Sequence, residues 1–390
     1  MVLLSIIRRM EPKKIFWLVG AVLVAAVVFL SYDLFFYSPK RDFSSRHDSL
    51  PSEFKEDKPF LIAGLLPLSG DNASMGRQIQ ELMKFAALEV EKAGGVAGKK
   101  MELVFYDTEC SDKKAQEAMS AIRGLGALAV IGGVCEFEGT VMSSLARSAG
   151  ILSFSFNSSL ENLKTTGISG LSFQMMPSHL QFAQMAIDRI NAGVALNQPA
   201  KVALVFSQGD DESVSGASAF ENYSRDKEVV ISAKIELGKN KPSDVLDALR
   251  LSGARYIYMP LKTAEASVVL AAVGDYKEKV EVIGPYVWNR SSPVKFSDNI
   301  TLIWPYPEID PPRVLLERLN EAGVPEKPIP EAVRAYDVVK KLADVFTVSG
   351  RSVPKASEKI LGSSWMGTGE TYSFDEFGGL KTPKWAYKSK

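Results

Sequence analysis

From Phe60 onward the chain alternates short, continuous apolar runs with amphipathic helical stretches, and few folds accommodate that order. "FLIAGLLPL", "MELVFYD", "ALAVIGG" and "ILSFSF" read as strands. Helical patterns follow the first three, over Met75 to Ala93, Lys113 to Gly124 and Thr140 to Ala149. A strand that is apolar at every position, not at every second one, has both faces covered. Such strands separated by helices predict βαβ units around a parallel sheet.

The pattern restarts after "LSFQMMP" with a helix over Ser178 to Asn191. The strands "KVALVFS", "VVISAKIEL", "RYIYMPL" and "VEVIGPY" then alternate with helices over Glu212 to Asp226, Pro242 to Leu251 and Thr263 to Asp275. The tail adds helices over Arg313 to Ala322 and Pro330 to Val348 and closes with "TYSFDEFGGLKTPKWAY". The reading is α/β: two doubly wound, Rossmann-like lobes joined by hinge crossings. Lobe 1 spans residues 60–177, lobe 2 spans 178–300, and 301–390 return through the hinge to lobe 1. In such sheets ligands sit beyond the carboxyl ends of the strands, so a cleft is expected at the shared edge.

The N-terminus sets the compartment. The run from Ile15 to Tyr32 holds 18 uncharged residues, near the length of a spanning helix, and follows Arg8, Arg9, Lys13 and Lys14. The positive-inside rule then places the N-terminus in the cytoplasm and everything after the run across the membrane. The expectation is a transmembrane anchor through Ile15 to Tyr37, a polar linker over 38–59, and a body on the periplasmic or extracellular face. Secretion after signal-peptide cleavage is the alternative. Lys+Arg and Asp+Glu both number 46, so no basic field exists to attract nucleic acid. Cys110 and Cys135 are the only cysteines, and an even count in an oxidising compartment reads as a disulfide; two buried thiols are the alternative.

No catalytic constellation emerges. "GGVAGKK" has the wrong spacing for a P-loop and "GLGALAV" lacks the third glycine of a dinucleotide fingerprint. The two histidines, His47 and His179, sit at no predicted strand tip, and the acids Asp210 and Asp211 read as solvated loop charges. The expectation is binding, not catalysis, with no cofactor and no metal. What gathers after the predicted strands is small, polar and aromatic: "SGDNASMG" with Ser69 and Met75, "CEFEG" with Glu136 and Phe137, "NSS" over Asn157, Ser158 and Ser159, "LKTAE" with Lys262, and "PYVWNRS" with Tyr286 and Trp288. Hydroxyls, amides and helix N-termini hold the polar ends of a small ligand, and the aromatic rings supply walls.

Several of these stretches resemble one family. "IAGLLPLSGDNASMG", "YDTEC", "VIGGVC", "SAGILSFSFNSS", "YDVVKKLA" and "YSFDEFGGLK" are similar to segments of the leucine/isoleucine/valine-binding proteins, type I periplasmic binding proteins that serve ABC importers. The resemblance covers about Phe60 to Tyr387 and is strongest in the first lobe. It implies an exported solute-binding protein that captures an amino acid or related compound in an interlobe cleft for an ABC permease. The alternative is a ligand sensor or partner-binding module with a diverged pocket. The resemblance also matches the cysteine pair to a bridge joining two strand tips at the cleft rim.

The family's ligand residues carry over in part. The serine that follows the second cysteine and receives the ligand carboxylate is Glu136 here. Asn157 and Ser159 match a backbone contact and a hydroxyl in the next loop. Met75 stands where an aromatic residue often lies. Tyr286 replaces an acid after Gly-Pro, and Lys262 replaces a tyrosine. A carboxylate facing a ligand carboxylate is repelled, so three pockets stay open. One has reversed polarity, with Glu136 on a cation and Lys262 on an anion. A second takes a cationic or aromatic ligand. In the third, Glu136 points to solvent.

Overall fold

The computed structural model describes residues 58–135, 138–157, 170–194, 199–225, 227–289, 292–294, 297–309, 311–324 and 327–390. The anchor expected through Ile15 to Tyr37 and nearly all of the linker lie outside them. Among the described residues no helix is long and apolar enough to cross a membrane.

Two mostly parallel sheets carry the fold. In the first, β1 (Phe60–Leu66), β2 (Met101–Asp107), β3 (Ala129–Gly132), β4 (Leu152–Ser155) and β5 (Ser172–Gln174) run in the order β2-β1-β3-β4-β5, all parallel. Helices α1 (Ala73–Lys92), α2 (Asp112–Leu125) and α3 (Glu138–Ala149) make the crossovers. After α4 (His179–Ala192) the second sheet begins. It holds β6 (Ala200–Ser207), β7 (Val229–Leu237), β8 (Tyr256–Tyr258), β9 (Val280–Ile283), β10 (Ile300–Pro307) and β13 (Trp385–Ser389), ordered β13-β10-β9-β8-β6-β7. Its crossovers include α5 (Asp211–Ser224), α6 (Pro242–Ser252) and α7 (Thr263–Ala272).

The continuous apolar runs do bury both faces. Val202, Leu204 and Phe206 of β6 pack with Ile187 and Phe220 on one side. Ala203 and Val205 pack with Val245, Leu249 and Leu270 on the other. Successive strand residues point to opposite faces, so only an unbroken apolar sequence fills both cores.

The segment expected to return as a block over 301–390 is instead divided. β10 joins the second sheet alongside β9, and β13 closes that sheet antiparallel to β10. Between them α8 (Arg313–Glu321), α9 (Pro330–Ser349), α10 (Val353–Leu361) and the short pair β11 (Trp365–Met366) and β12 (Thr371–Tyr372) follow. α9 lays Val338, Val339, Leu342 and Phe346 into the first core with Ile79, Leu82 and Met83 of α1. The chain therefore crosses between lobes three times, near residues 175–178, 308–312 and 381–384.

Arg334 of α9 ties the first and third of these crossings together. It is fully buried, pairs with Glu370 and donates from Nη1 to the Met175 carbonyl at 2.5 Å. Its guanidinium also lies 5.5 Å from the Trp385 ring, just past the third crossing. Gln181 of α4 donates to the Leu380 carbonyl at 2.7 Å, which joins the first crossing to the third.

Candidate functional site

Each sheet has one point where the connections reverse direction. In the first, β1 runs to β2 on one side, and β3 lies on the other. In the second, β7 and β8 flank β6 in the same way. Loops leaving the carboxyl ends at such a point diverge and leave a crevice. Here the two crevices share one cleft of about 800 Å³, lined from both lobes and from the crossings.

From the first lobe the cleft receives Asn72, Cys110, Ser111, Asp112, Cys135, Phe156 and Asn157, all on loops or helix starts after β1 to β4. Cys110 and Cys135 form a disulfide with Cα atoms 5.4 Å apart. Their strands, β2 and β3, are not neighbours: both flank β1, so the bridge spans the tip of β1. Asn72 donates from Nδ2 to Cys110 Sγ at 3.1 Å. The glycines before Cys135 are needed for this turn. Gly132 has φ of +150°, and a Cβ there would overlap the Leu65 carbonyl.

The second lobe supplies charge. Asp210 follows β6 and caps α5, its side chain accepting the Glu212 N–H at 3.2 Å. Lys262 follows β8 and is the residue before α7. β6 and β8 are adjacent, so these two tips meet, and Lys262 Nζ lies 3.4 Å from Asp210 Oδ2. Asp210 is 7% exposed; the Lys262 side chain is 47% exposed. Beside them His179, the first residue of α4, lies with Nε2 2.9 Å from Glu212 Oε2. Phe182, Tyr258, Pro260, Leu261, Ile283, Pro285 and Val287 add apolar wall.

The residues expected at the site divide accordingly. Asn157, Lys262 and Tyr286 line the cleft, and so do both cysteines. Ser69 does not; its hydroxyl donates to Asp107 Oδ2 at 2.6 Å. Burial alone would raise the Asp107 pKa, yet donation from Ser69, Leu68 and Glu109 holds it below the ordinary carboxylate range. Met75 is also absent from the lining and packs half-buried against the first core. Glu136, Phe137, Ser158 and Ser159 lie outside the described residues.

Tyr286 presents its ring but commits its hydroxyl elsewhere. It donates to Glu331 Oε1 of α9 at 2.5 Å, while the ring meets Trp385 edge-on at 5.0 Å. Trp288 is buried, with its indole N–H donated to the Leu261 carbonyl at 2.9 Å, and lines core, not cleft.

Sequence reasoning passed over Asp210 and His179. Asp210 is not a solvated loop charge: it is buried at the cleft and capped onto a helix. The available signal was an Asp one residue before a helix that directly follows a strand. One group of metal-ligand type atoms occurs among the described residues, Cys110, Cys135 and Glu138 within 4.8 Å of one another, but the sulfurs are spent on each other. Glu138 is fully buried and accepts the Cys135 N–H at 3.3 Å. Burial pushes its pKa up, against the Thr108 hydroxyl and the Cys135 N–H.

The model of a family described as periplasmic binding protein matches residues 59–351, three quarters of the chain. The chain belongs to this family. A Pseudomonas aeruginosa amino acid binding protein is 27% identical over 199 residues, 50% of this chain and 52% of that protein. A Brucella abortus Leu/Ile/Val-binding protein homolog 7 is 23% identical over 214 residues, 54% of this chain and 51% of its own length. The chain thus spans about half the length of the curated relatives it matches. Among solved structures, an ABC transporter substrate-binding protein from Desulfitobacterium hafniense in complex with Leu covers 85% of this chain and 98% of its own, with TM-score 0.70 and 22% identity. A solute-binding protein from R. palustris in complex with benzoate has TM-score 0.62 and 16% identity, covering 85% and 92%. These likenesses establish the fold: the type I periplasmic binding protein architecture that the family resemblance implied, built on the parallel sheets expected from the strand and helix order.

Proposed function

We propose that this member of the periplasmic binding protein family is exported, tethered by its N-terminal apolar run, and captures a small polar ligand of the amino-acid kind between its lobes. The observation that carries the reading is the cleft itself. It sits at the carboxyl edges of both sheets, is of ligand-pocket size, and combines apolar walls with a few charged groups at the switch point of the second sheet. Relatives named for amino acids, and a structural neighbour holding Leu, support the ligand class.

The three crossings, the first and third tied by Arg334, are the natural hinge, and closure about them brings Asn157 of lobe 1 toward Lys262 of lobe 2. Delivery to an ABC-type permease is part of this reading, supported by a structural neighbour that is an ABC transporter substrate-binding protein. A thermal-shift screen of the full chain against amino acids, amines and small acids tests the reading. A ligand held at a hundred times its Kd stabilises the folded state by about 2.7 kcal/mol. A stabilising, saturable shift supports capture; no shift with any compound refutes it and leaves a partner-binding role.

A further inference from the structure

We infer that lobe 1 carries a second binding site, distinct from the cleft, in which Arg147 and Ser143 of α3 take a small anion at the sheet edge formed by β4 and β5.

The face of the first sheet beneath α3 is polar. Phe154 of β4 and Phe173 of β5 belong to the first core, so Ser153, Ser155, Ser172 and Gln174 point to the opposite face. All four are buried. Ser172 Oγ donates to the Ser143 carbonyl at 3.3 Å, which seats α3 over β5. Ser153 Oγ donates in turn to Ser172 Oγ at 3.0 Å. These two strand hydroxyls therefore spend their protons on each other and on the helix backbone.

Two side chains of α3 keep unspent donors. Ser143 is fully buried, and its Oγ has no hydrogen-bond partner. Arg147 is 7% exposed, and its Nε and Nη1 are buried without a partner. The two residues are four apart and share one face of α3. A helical side chain leans back toward the N-terminus, which carries the guanidinium toward Ser143. Burial lowers the Arg147 pKa and no carboxylate opposes the shift, whereas buried Arg334 is raised by Glu370. The last-turn carbonyls of α3 offer only about half a negative charge in compensation.

A neutral acceptor would complete a hydrogen bond but leave a cation uncompensated in a low-dielectric interior, which is the costlier part of burying it. An anion supplies both, accepting N–H from Arg147 and O–H from Ser143 in charge-assisted bonds. The narrow exposure of Arg147 suits a small ion such as phosphate, sulfate or chloride. None of Ser143, Arg147, Ser153 and Ser172 lines the cleft, so this site stands apart from the proposed capture of solute.

The test is the melting point of the full chain, as wild type and as Arg147→Met, titrated with phosphate, sulfate or chloride. A bulky organic anion holds the ionic strength constant, and Met keeps the aliphatic stem packed. Wild type is expected to rise saturably with the preferred ion, as a ligand bound by the folded state alone requires. Arg147→Met is expected to show only the shallow, unsaturated rise that excluded salts give any protein. The two chains should thus exchange order, the variant being the more stable at low anion and the less stable at high anion. Equilibrium dialysis of the same three ions, labelled, reads the site without the Arg147 variant. One equivalent is expected on wild type, bound about 10-fold or more weakly by Ser143→Ala, which keeps the carbonyl that Ser172 uses. A stability gap that no ion alters marks Arg147 as structural and overturns the inference, as does binding that Ser143→Ala leaves unchanged.

Discussion

Breaking the Cys110–Cys135 bridge lowers stability by an amount the chain length sets. The cysteines are 25 residues apart, and closing a loop of that size removes about 3.5 kcal/mol of unfolded-state entropy at 25 °C. Relaxation of the loop offsets little of this. Glu109 and Cys110 lie at φ of +49° and +56°, unfavourable for non-glycine residues, but hydrogen bonds hold that turn without the bridge. Glu109 N–H donates to Asp107 Oδ1 at 3.1 Å, and Ser111 N–H to the Thr108 carbonyl at 2.8 Å. Pro59–Lys390 forms one compact unit of roughly 330 residues, so unfolding entropy near 0.7 kcal/mol per kelvin converts the loss to about 5 °C. The assay is scanning calorimetry of the oxidised chain, the phosphine-reduced chain and Cys110→Ser/Cys135→Ser, with thiol counting on each. A drop under about 1 °C in chains shown to lack the bridge refutes the reasoning.

Two further predictions concern the buried charges behind the cleft. Asp337 accepts the Thr368 N–H and the Tyr372 hydroxyl, each at 2.9 Å, yet burial pushes its pKa from 3.8 up to about 6. The folded state thus holds an extra proton between about pH 4 and 6, so this group's stability is full below pH 4 and is lost as pH rises through 6. A urea midpoint series should show a decline worth roughly 3 kcal/mol over that window that Asp337→Asn abolishes; an unchanged slope contradicts the assignment. Arg334→Met leaves Glu370 charged and buried and should cost about 3–5 kcal/mol, with much of the loss regained in Arg334→Met/Glu370→Leu. Equal denaturant midpoints for the two variants would show that the stranded carboxylate is not the cause.

The two sheets were legible because both-face burial demands unbroken apolar runs, as Val202 to Phe206 show. β10 was not, because Pro305 and Pro307 read against a strand. It escapes that rule by pairing with β9 only over Ile300 to Ile303 and by meeting antiparallel β13 across both prolines. α10 was missed among the tail's polar residues and is held by Ala356 and Ile360 in the first core. At the site, sequence identified which loops reach the cleft but not which side chains face it. Ser69 is drawn away by Asp107, 38 residues on, and the Tyr286 hydroxyl by Glu331, 45 residues on. Asp210 shows the reverse case, an acid whose burial came from a long-range meeting of the β6 and β8 tips.

Hydrogen–deuterium exchange of the full chain, with and without the amino acid that gives the largest thermal shift, tests interlobe capture most directly. Interlobe capture protects peptides from both walls at once, those containing Asn157 and those containing Asp210 and Lys262, together with the crossing at residues 175–178. Protection confined to one lobe's outer surface, or none at saturating ligand, would contradict it.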